Sequence, residues 1–391
     1  MPLVAMQDLL QHAHRHRYAV GAFDLINLDF LSGILAAAEA QRAPVILSLA
    51  ESHFAHFDFE LLMAATLTAA QRTPVPCAIH LDHGKTLERA VEAIRWGANG
   101  VMVDASHLPF ADNCRFTAEV VAMAHACGVC VEGELGYVPG SCGVDAERHP
   151  GPLQYTSVEE AQAFVAATGV DCLAVSIGTI HGRLHGLPQL DFERLAAIDR
   201  LLGLPLVIHG GTGLSEEQFR RLIELGVTKI NYFTALDDGA GATMRAAVAE
   251  GDMACSQISS GVRRAVQSRC EQMIALWGGN GRAAEVLAQC RPWREVEHLV
   301  LFKPEASASA EAVAAQFAEG RRALAAIPGV RAVRVGHSVR DDARYSHAWL
   351  IRFAHEDVID HYRDHPAHVA FADQRFRPLA PDRLTTDYRL D

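Results

Sequence analysis

Lysine is almost missing from this chain. Only Lys85, Lys229 and Lys303 occur among 391 residues, so a Schiff-base amine has one serious candidate, Lys229 near the start of an apolar strand. No apolar run approaches the roughly 20 residues of a membrane span. Residues 1–17 alternate apolar side chains with His and Arg and lack a signal-peptide core, so a cytoplasmic protein without a membrane partner is expected. A disulfide framework is missing too: nine cysteines, an odd number scattered through a long chain, read as reduced thiols. Cys127 and Cys130 have redox or zinc spacing, but they straddle a helix end and a strand start, no second pair accompanies them, and a structural role is expected. No Gly-rich dinucleotide fingerprint follows the first apolar strand. The formal net charge of −12 repels a phosphate backbone, which excludes nucleic acid as a partner and requires local donors for any anionic ligand.

What is present is a regular alternation. Half of the residues are hydrophobic, enough for the core of one large or two ordinary domains. Short apolar or β-branched runs at 18–23, 44–49, 75–81, 100–104, 129–134, 172–177, 206–209 and 229–232 are each followed by a helical pattern. Eight such units over about 250 residues predict an α/β fold, a (β/α)8 TIM barrel, with a doubly wound open sheet as the alternative. A long helical pattern at 255–277 ends on Gly278-Gly279-Asn280-Gly281. From Glu295 the pattern restarts with strands at 298–302, 332–336 and 347–353, helices at 309–326 and 355–365, and a tail to Asp391. The expected organisation is a barrel over 1–290 and a small α+β domain over 295–391.

Strand ends carry the chemistry-bearing residues. Ala78-Ile-His-Leu-Asp-His-Gly84 places Asp82 and His83 where the third strand runs out. The fourth ends near Asp104 and Ser106, the fifth near Glu132 and Glu134, the sixth runs into His181-Gly182, the seventh into His209-Gly-Gly-Thr212 and the eighth into Asn231. In a barrel these C-terminal ends form the functional face. His83, His181 and His209, from three different strands, match a catalytic zinc with an open fourth position. Gly182, Gly210, Gly211 and Thr212, with Asn231, Tyr232, Phe233 and Thr234, are placed to cradle a phosphate after strands seven and eight.

With these residues the chain resembles the class II ketose-bisphosphate aldolases of the fructose- and tagatose-bisphosphate type. The matching strings are Tyr18-Ala-Val-Gly-Ala-Phe23, His80-Leu-Asp-His-Gly84, Val103-Asp-Ala-Ser106, Glu132-Gly-Glu-Leu-Gly136, Ile177-Gly-Thr-Ile-His-Gly182, Leu190-Asp-Phe192, His209-Gly-Gly-Thr-Gly213 and Gly226-Val-Thr-Lys-Ile-Asn231. The resemblance implies reversible aldol cleavage of a ketose phosphate or bisphosphate to dihydroxyacetone phosphate, or an analogue, and an aldehyde. It implies Asp82 as the acid/base, one Zn²⁺ per subunit on His83, His181 and His209, and Asp104 and Glu134 lining the site for a displaced or second metal ion. It also implies a monovalent cation near the glycine carbonyls of the phosphate loop. The alternative is a non-catalytic sugar-phosphate-binding barrel acting through its C-terminal domain.

The chain departs from that family at Asp24, where an Asn is usual, and at Ala50, where a Ser is usual. Its loop after strand five reads Pro139-Gly140-Ser141-Cys142 instead of Gly-Gly-Glu-Glu, leaving Asp145 or Glu147 as the substitute acid, and Met253-Ala-Cys-Ser256 replaces the Pro-Arg-Lys associated with the distal phosphate. Residues 295–391 resemble the stress-responsive dimeric α/β-barrel (Dabb) family through His298-Leu-Val-Leu-Phe-Lys303, Ile327-Pro-Gly-Val330, Val335-Gly336 and His365-Pro-Ala-His368-Val369. That resemblance implies a ferredoxin-like fold, a homodimer or homotetramer, and His298 or His368 as the residue that would serve a second active site.

Overall fold

The computed structural model describes residues 2–140, 147, 150–183, 188–251 and 253–390. Eight parallel strands close into a barrel in chain order: β1 (Val20–Asp24), β2 (Val45–Ala50), β3 (Cys77–Gly84), β4 (Gly100–Val103), β5 (Cys130–Leu135), β6 (Cys172–Val175), β7 (Leu206–Ile208) and β8 (Val227–Tyr232). β1 pairs with β8, which completes the ring. The alternation of strand and helix was therefore a correct guide, and the open-sheet alternative is excluded by closure.

The loops that lead into the outer helices end on capping residues. Asn27, Asp58, Thr86, Ser157, Asp191 and Ser215 each accept backbone N–H bonds at the first turn of the following helix. Each such bond satisfies a donor the helix cannot satisfy itself, typically a contribution of about 1 kcal/mol. Leu47, Ile79, Val101, Val131, Leu173, Ile208 and Ile230 meet the helices in one continuous core. Val20, Ala22, Ile46, Ala78 and Val207 face the barrel interior.

The first helix went unrecognised in the sequence. Residues Met6–His16 form a helix whose Met6, Leu9, Leu10 and Ala13 join that inner cluster and plug the N-terminal end of the barrel. Gly100 admits the plug, because a Cβ there would lie 2.0 Å from Met6 Sδ. The buried thiols of Cys127 and Cys130 lie toward the same end, near β5's start, and belong to the packing.

The C-terminal domain is an antiparallel sheet in the order β10-β11-β9-β12, with β9 (Val296–Lys303), β10 (Val330–His337), β11 (His347–Phe353) and β12 (Asp382–Arg389). Helix Ala310–Ala325 packs Val313, Phe317 and Leu324 onto the face holding Val300, Phe302 and Trp349. The stretch expected only as a tail to Asp391 contains β12, paired with β9 along its length. It escaped recognition because Asp382 to Arg389 is polar and largely exposed, an edge strand without apolar alternation. Arg331 donates to the carbonyl oxygens of Arg95 and Trp96, and Arg95 donates to that of Ala325, so charged side chains stitch this domain to the barrel. No helix among the described residues is long and apolar enough to cross a membrane.

Candidate functional site

The strand-end residues converge. His83, His181 and His209 each offer a ring nitrogen, and these atoms lie within 4.8 Å of one another. Their rings stand edge to face, at 70°, 81° and 79°. His83 reaches this position through a backbone φ of +46°, strained for a residue with a side chain. The strain coincides with a register shift between β3 and β4 at Leu81 and Gly84, which turns His83 out of the strand's alternation.

His181 lies beyond β6 and is fixed by its backbone N–H, which donates to the Pro139 carbonyl at 2.8 Å. Gly210, beside His209, has φ +71°, and a Cβ there would meet the Ile180 carbonyl at 2.2 Å. Only glycine lets the β7 loop press against the His181 loop.

Carboxylates orient two of the three rings. His83 Nδ1 lies 3.0 Å from Asp104 Oδ2 and His209 Nε2 lies 2.8 Å from Glu132 Oε1. With those nitrogens donating, His83 Nε2 and His209 Nδ1, 2.9 Å apart, turn their lone pairs to the centre. This donor set fits a metal ion of the kind that takes neutral imidazoles. A second triad, His83, Asp104 and Glu134, also has its ligand atoms within 4.8 Å.

Charge argues the same way. Asp24, Asp82 and Glu132 feel the charge of Lys229, Asp104 and Glu134 lie with them beside His83, and burial raises the pKa of each carboxyl before its partners act. Burial and Asp104 hold Glu134 well above the usual carboxylate range, and burial with Asp82 pushes Asp24 up to about 7. Burial alone would lower His83, yet Asp82 and Asp104 push it up to about 10. The cavity is short of positive charge, the condition a bound cation relieves.

Asp82 is buried and ionised: burial would raise its pKa, and His83, His209 and Lys229 bring it below the usual value. Its Oδ1 accepts from Asn231 Nδ2 at 2.9 Å, and its Oδ2 is 3.9 Å from His83 Nε2. Lys229 Nζ donates to Asn231 Oδ1 at 2.6 Å and pairs with Glu132 Oε2 at 2.7 Å. Burial opposes the charge on Lys229, but Glu132 and Asp82 outweigh it and hold the amine above its ordinary pKa. A protonated, fully buried amine is unsuited to Schiff-base attack.

Asp82, His83 and His181 line one cleft with Gly182, Gly210, Gly211, Thr212, Asn231, Tyr232, Phe233 and Thr234. All eight residues expected to cradle a phosphate are thus brought together. The cleft also takes in Asp24, Ala50, Ser52 and His53. His53, its ring centroid 4.2 Å from that of Phe233 and tilted by 40°, was not anticipated, although its place just past β2 was a signal. Glu132, which joins His209 to Lys229, was noticed only as a strand-end acid. Ser141, Cys142 and Asp145 lie outside the described residues, Glu147 is exposed, and Met253 is 40% exposed. In the C-terminal domain, His298 and His368 line a cavity of about 450 Å³, and His298 Nδ1 lies 2.8 Å from Asp387 Oδ1.

Residues 4–282 match the family model described as fructose-bisphosphate aldolase class-II, and residues 296–390 match that of the stress responsive A/B barrel domain. The chain is 44% identical over 237 residues to a fructose-bisphosphate aldolase of Geobacillus stearothermophilus, covering 60% of this chain and 82% of that protein. It is 38% identical over 291 residues to a 6-phospho-5-dehydro-2-deoxy-D-gluconate aldolase of Shouchella clausii, covering 73% and 97%. Among solved structures, the YdjI aldolase from Escherichia coli K12 is similar with a TM-score of 0.65 and 33% identity, over 72% of this chain and 99% of that one.

Proposed function

The chain belongs to the class II fructose-bisphosphate aldolase family, and from that premise we propose that it cleaves a ketose phosphate or bisphosphate reversibly into dihydroxyacetone phosphate, or an analogue, and an aldehyde. The observation that carries this reading is Asp82, ionised and held by Asn231, beside three imidazoles from three strand ends. His83, His181 and His209 would hold one Zn²⁺ per subunit, the ion favoured by three nitrogen donors, while Asp104 and Glu134 would hold a displaced or second ion. When bound, the ion supplies the positive charge that polarises the substrate's ketone.

Asp82 takes the proton from the hydroxyl next to the breaking carbon–carbon bond, so that the bond's electron pair can pass to the ketone as the aldehyde departs. In the reverse direction it returns that proton. Backbone N–H groups of Gly182, Gly210, Gly211, Thr212 and the Asn231 to Thr234 turn hold the substrate phosphate at the start of helix Thr234–Glu250, whose dipole favours an anion. The carbonyl oxygens of these glycines would hold a monovalent cation. Asp82 and the three histidines are all present, which favours this reading over the non-catalytic binder.

The distal end of the substrate differs from that of a bisphosphate aldolase. The family's distal-phosphate string is replaced at Met253 to Ser256, and the Shouchella clausii relative is named for a substrate with a single phosphate. The enzyme accordingly takes ketose monophosphates. Measuring cleavage, and solvent-proton exchange into dihydroxyacetone phosphate, across a panel of ketose mono- and bisphosphates tests both statements. Neither exchange nor cleavage with any of them would return the chain to the non-catalytic reading.

For the rest of the chain we propose a barrel over residues 1–290 and a ferredoxin-like domain over 295–391 that joins copies into a homodimer or homotetramer. Support comes from the sheet face turned away from helix Ala310–Ala325, where Leu299, Leu301, Leu350, Leu384 and Tyr388 stand together by register, all half-buried or exposed. Such an apolar face suits a second copy.

A further inference from the structure

The plugged end of the barrel, opposite the cleft, holds another group of imidazoles that aldol chemistry does not use. His12 and His16 stand one turn apart on helix Met6–His16, and Glu285 faces them from helix Ala283–Gln289. Glu285 Oε1 lies 3.5 Å from His12 Nε2 and 3.4 Å from His16 Nε2. The three ligand atoms fall within 4.8 Å of one another. Those separations exceed the about 2.7–3.2 Å of an N–H···O bond. They agree with the edge, about 3.3–3.4 Å, of a tetrahedron whose corners lie about 2.0–2.1 Å from a zinc ion.

The surroundings are arranged as metal ligands require. His12 is fully buried, and its Nε2 has no hydrogen-bond partner. Its Nδ1 lies 3.0 Å from the Tyr18 hydroxyl. With Nδ1–H donating to that oxygen, Nε2 presents a lone pair to His16 and Glu285, the outer-shell device that fixes a ligating histidine. Glu285 Oε2 accepts from Arg282 Nη1 at 3.1 Å, which holds Oε1 toward the rings. His16 and Glu285 are 36% and 34% exposed, so an ion has a way in and a solvent-facing fourth position.

We propose that His12, His16 and Glu285 form a second metal site that takes a zinc-class divalent ion. Two imidazoles and one carboxylate select against Mg²⁺ and Ca²⁺, which prefer oxygen ligands throughout. The ion would clamp the barrel plug to the short helix that leads, through Arg291 and Trp293, into the C-terminal domain. Its function is to fasten that joint, at a distance from the reaction.

The test is to strip tag-free, full-length protein with chelator, titrate it with Zn²⁺ alone, and count retained metal per chain by mass spectrometry. Wild-type protein should retain one ion more than His16→Ala or Glu285→Gln, with aldol turnover unchanged in both variants after refilling. These two positions are partly exposed, so the variants fold where a change at buried His12 might not. Tyr18→Phe should keep the ion with affinity weakened about 10–100-fold. His181→Ala should still carry the ion that His16→Ala loses, which separates this site from the catalytic one. Equal zinc content in wild type, His16→Ala and Glu285→Gln overturns the proposal.

Discussion

Glu132 accepts from His209 Nε2 at 2.8 Å through one oxygen and pairs with Lys229 Nζ at 2.7 Å through the other. One fully buried carboxylate thereby sets the orientation of an imidazole and neutralises a lysine that, through Asn231, positions Asp82. The histidine cluster and Asp82 are thus linked through the interior of the barrel.

Glu132→Gln should therefore destabilise the fold by up to about 3–5 kcal/mol, because it removes the carboxylate in direct contact with buried Lys229 and leaves only Asp82 to oppose the amine's charge. Adding Lys229→Met should recover most of that loss while metal affinity stays weakened about 10–100-fold. Denaturant melts and zinc titrations of the single and double variants check this. Additive losses in stability would contradict the linkage.

Asp82→Ala should keep its zinc and lose turnover by about 10²–10⁴-fold, the usual worth of a positioned acid/base. Metal content measured beside kcat decides the matter. Loss of the ion together with activity would reassign Asp82 to metal binding.

Chelation should abolish cleavage and added Zn²⁺ should restore it, and His181→Ala should not be restored by the same treatment. Borohydride added during turnover should trap no substrate on Lys229, since its amine is charged, buried and paired. A covalent adduct detected by mass spectrometry there would sink the metal mechanism.

The barrel was legible in the sequence because its strands are buried on both faces and stand out as apolar runs, as at Val45 to Leu49. The three histidines and Asp82 were legible for a related reason: each polar residue interrupts such a run where it ends. Helix Met6–His16 was not, since its apolar Met6, Leu9, Leu10 and Ala13 are diluted by three histidines and one arginine in the last five residues. Partnerships were also hidden. Nothing in the spacing of Glu132, Lys229 and Asn231 indicates that β5 and β8 face each other across the barrel interior and meet side chain to side chain.

At the plugged end, Asp171 accepts from the Val131 N–H at 2.7 Å and pairs with His125 Nε2 at 2.9 Å. The hydrogen bond to Asp171 raises the pKa of His125 above its ordinary value. Stability from this pair is thus fully present below the unfolded pKa of about 6.5 and is lost as pH rises through the folded value. The Tm difference between wild type and His125→Ala should be larger at pH 5.5 than at pH 8.5. A difference that is constant or grows with pH would reverse the assignment.

Substrate choice depends on the unequal state of the two phosphate ends. In the proposed proximal cradle, Gly210 stands where a Cβ would meet the Ile180 carbonyl, and Thr212 Oγ1 accepts from the Ala235 N–H at 3.3 Å. Distally, the Pro-Arg-Lys string is absent, and Arg263 is already engaged with Asp29 at 3.1 Å. A hydrogen bond to a charged group contributes roughly 1.5–3 kcal/mol, so its loss removes about ten- to a hundredfold in specificity. The values of kcat/KM for fructose or tagatose bisphosphate should then lie within about a hundredfold of those for the matching 1-phosphates. A bisphosphate preference above about a thousandfold exceeds what one such contact supplies. It would mean that arginines such as Arg263 or Arg264 leave their present positions to rebuild the distal site.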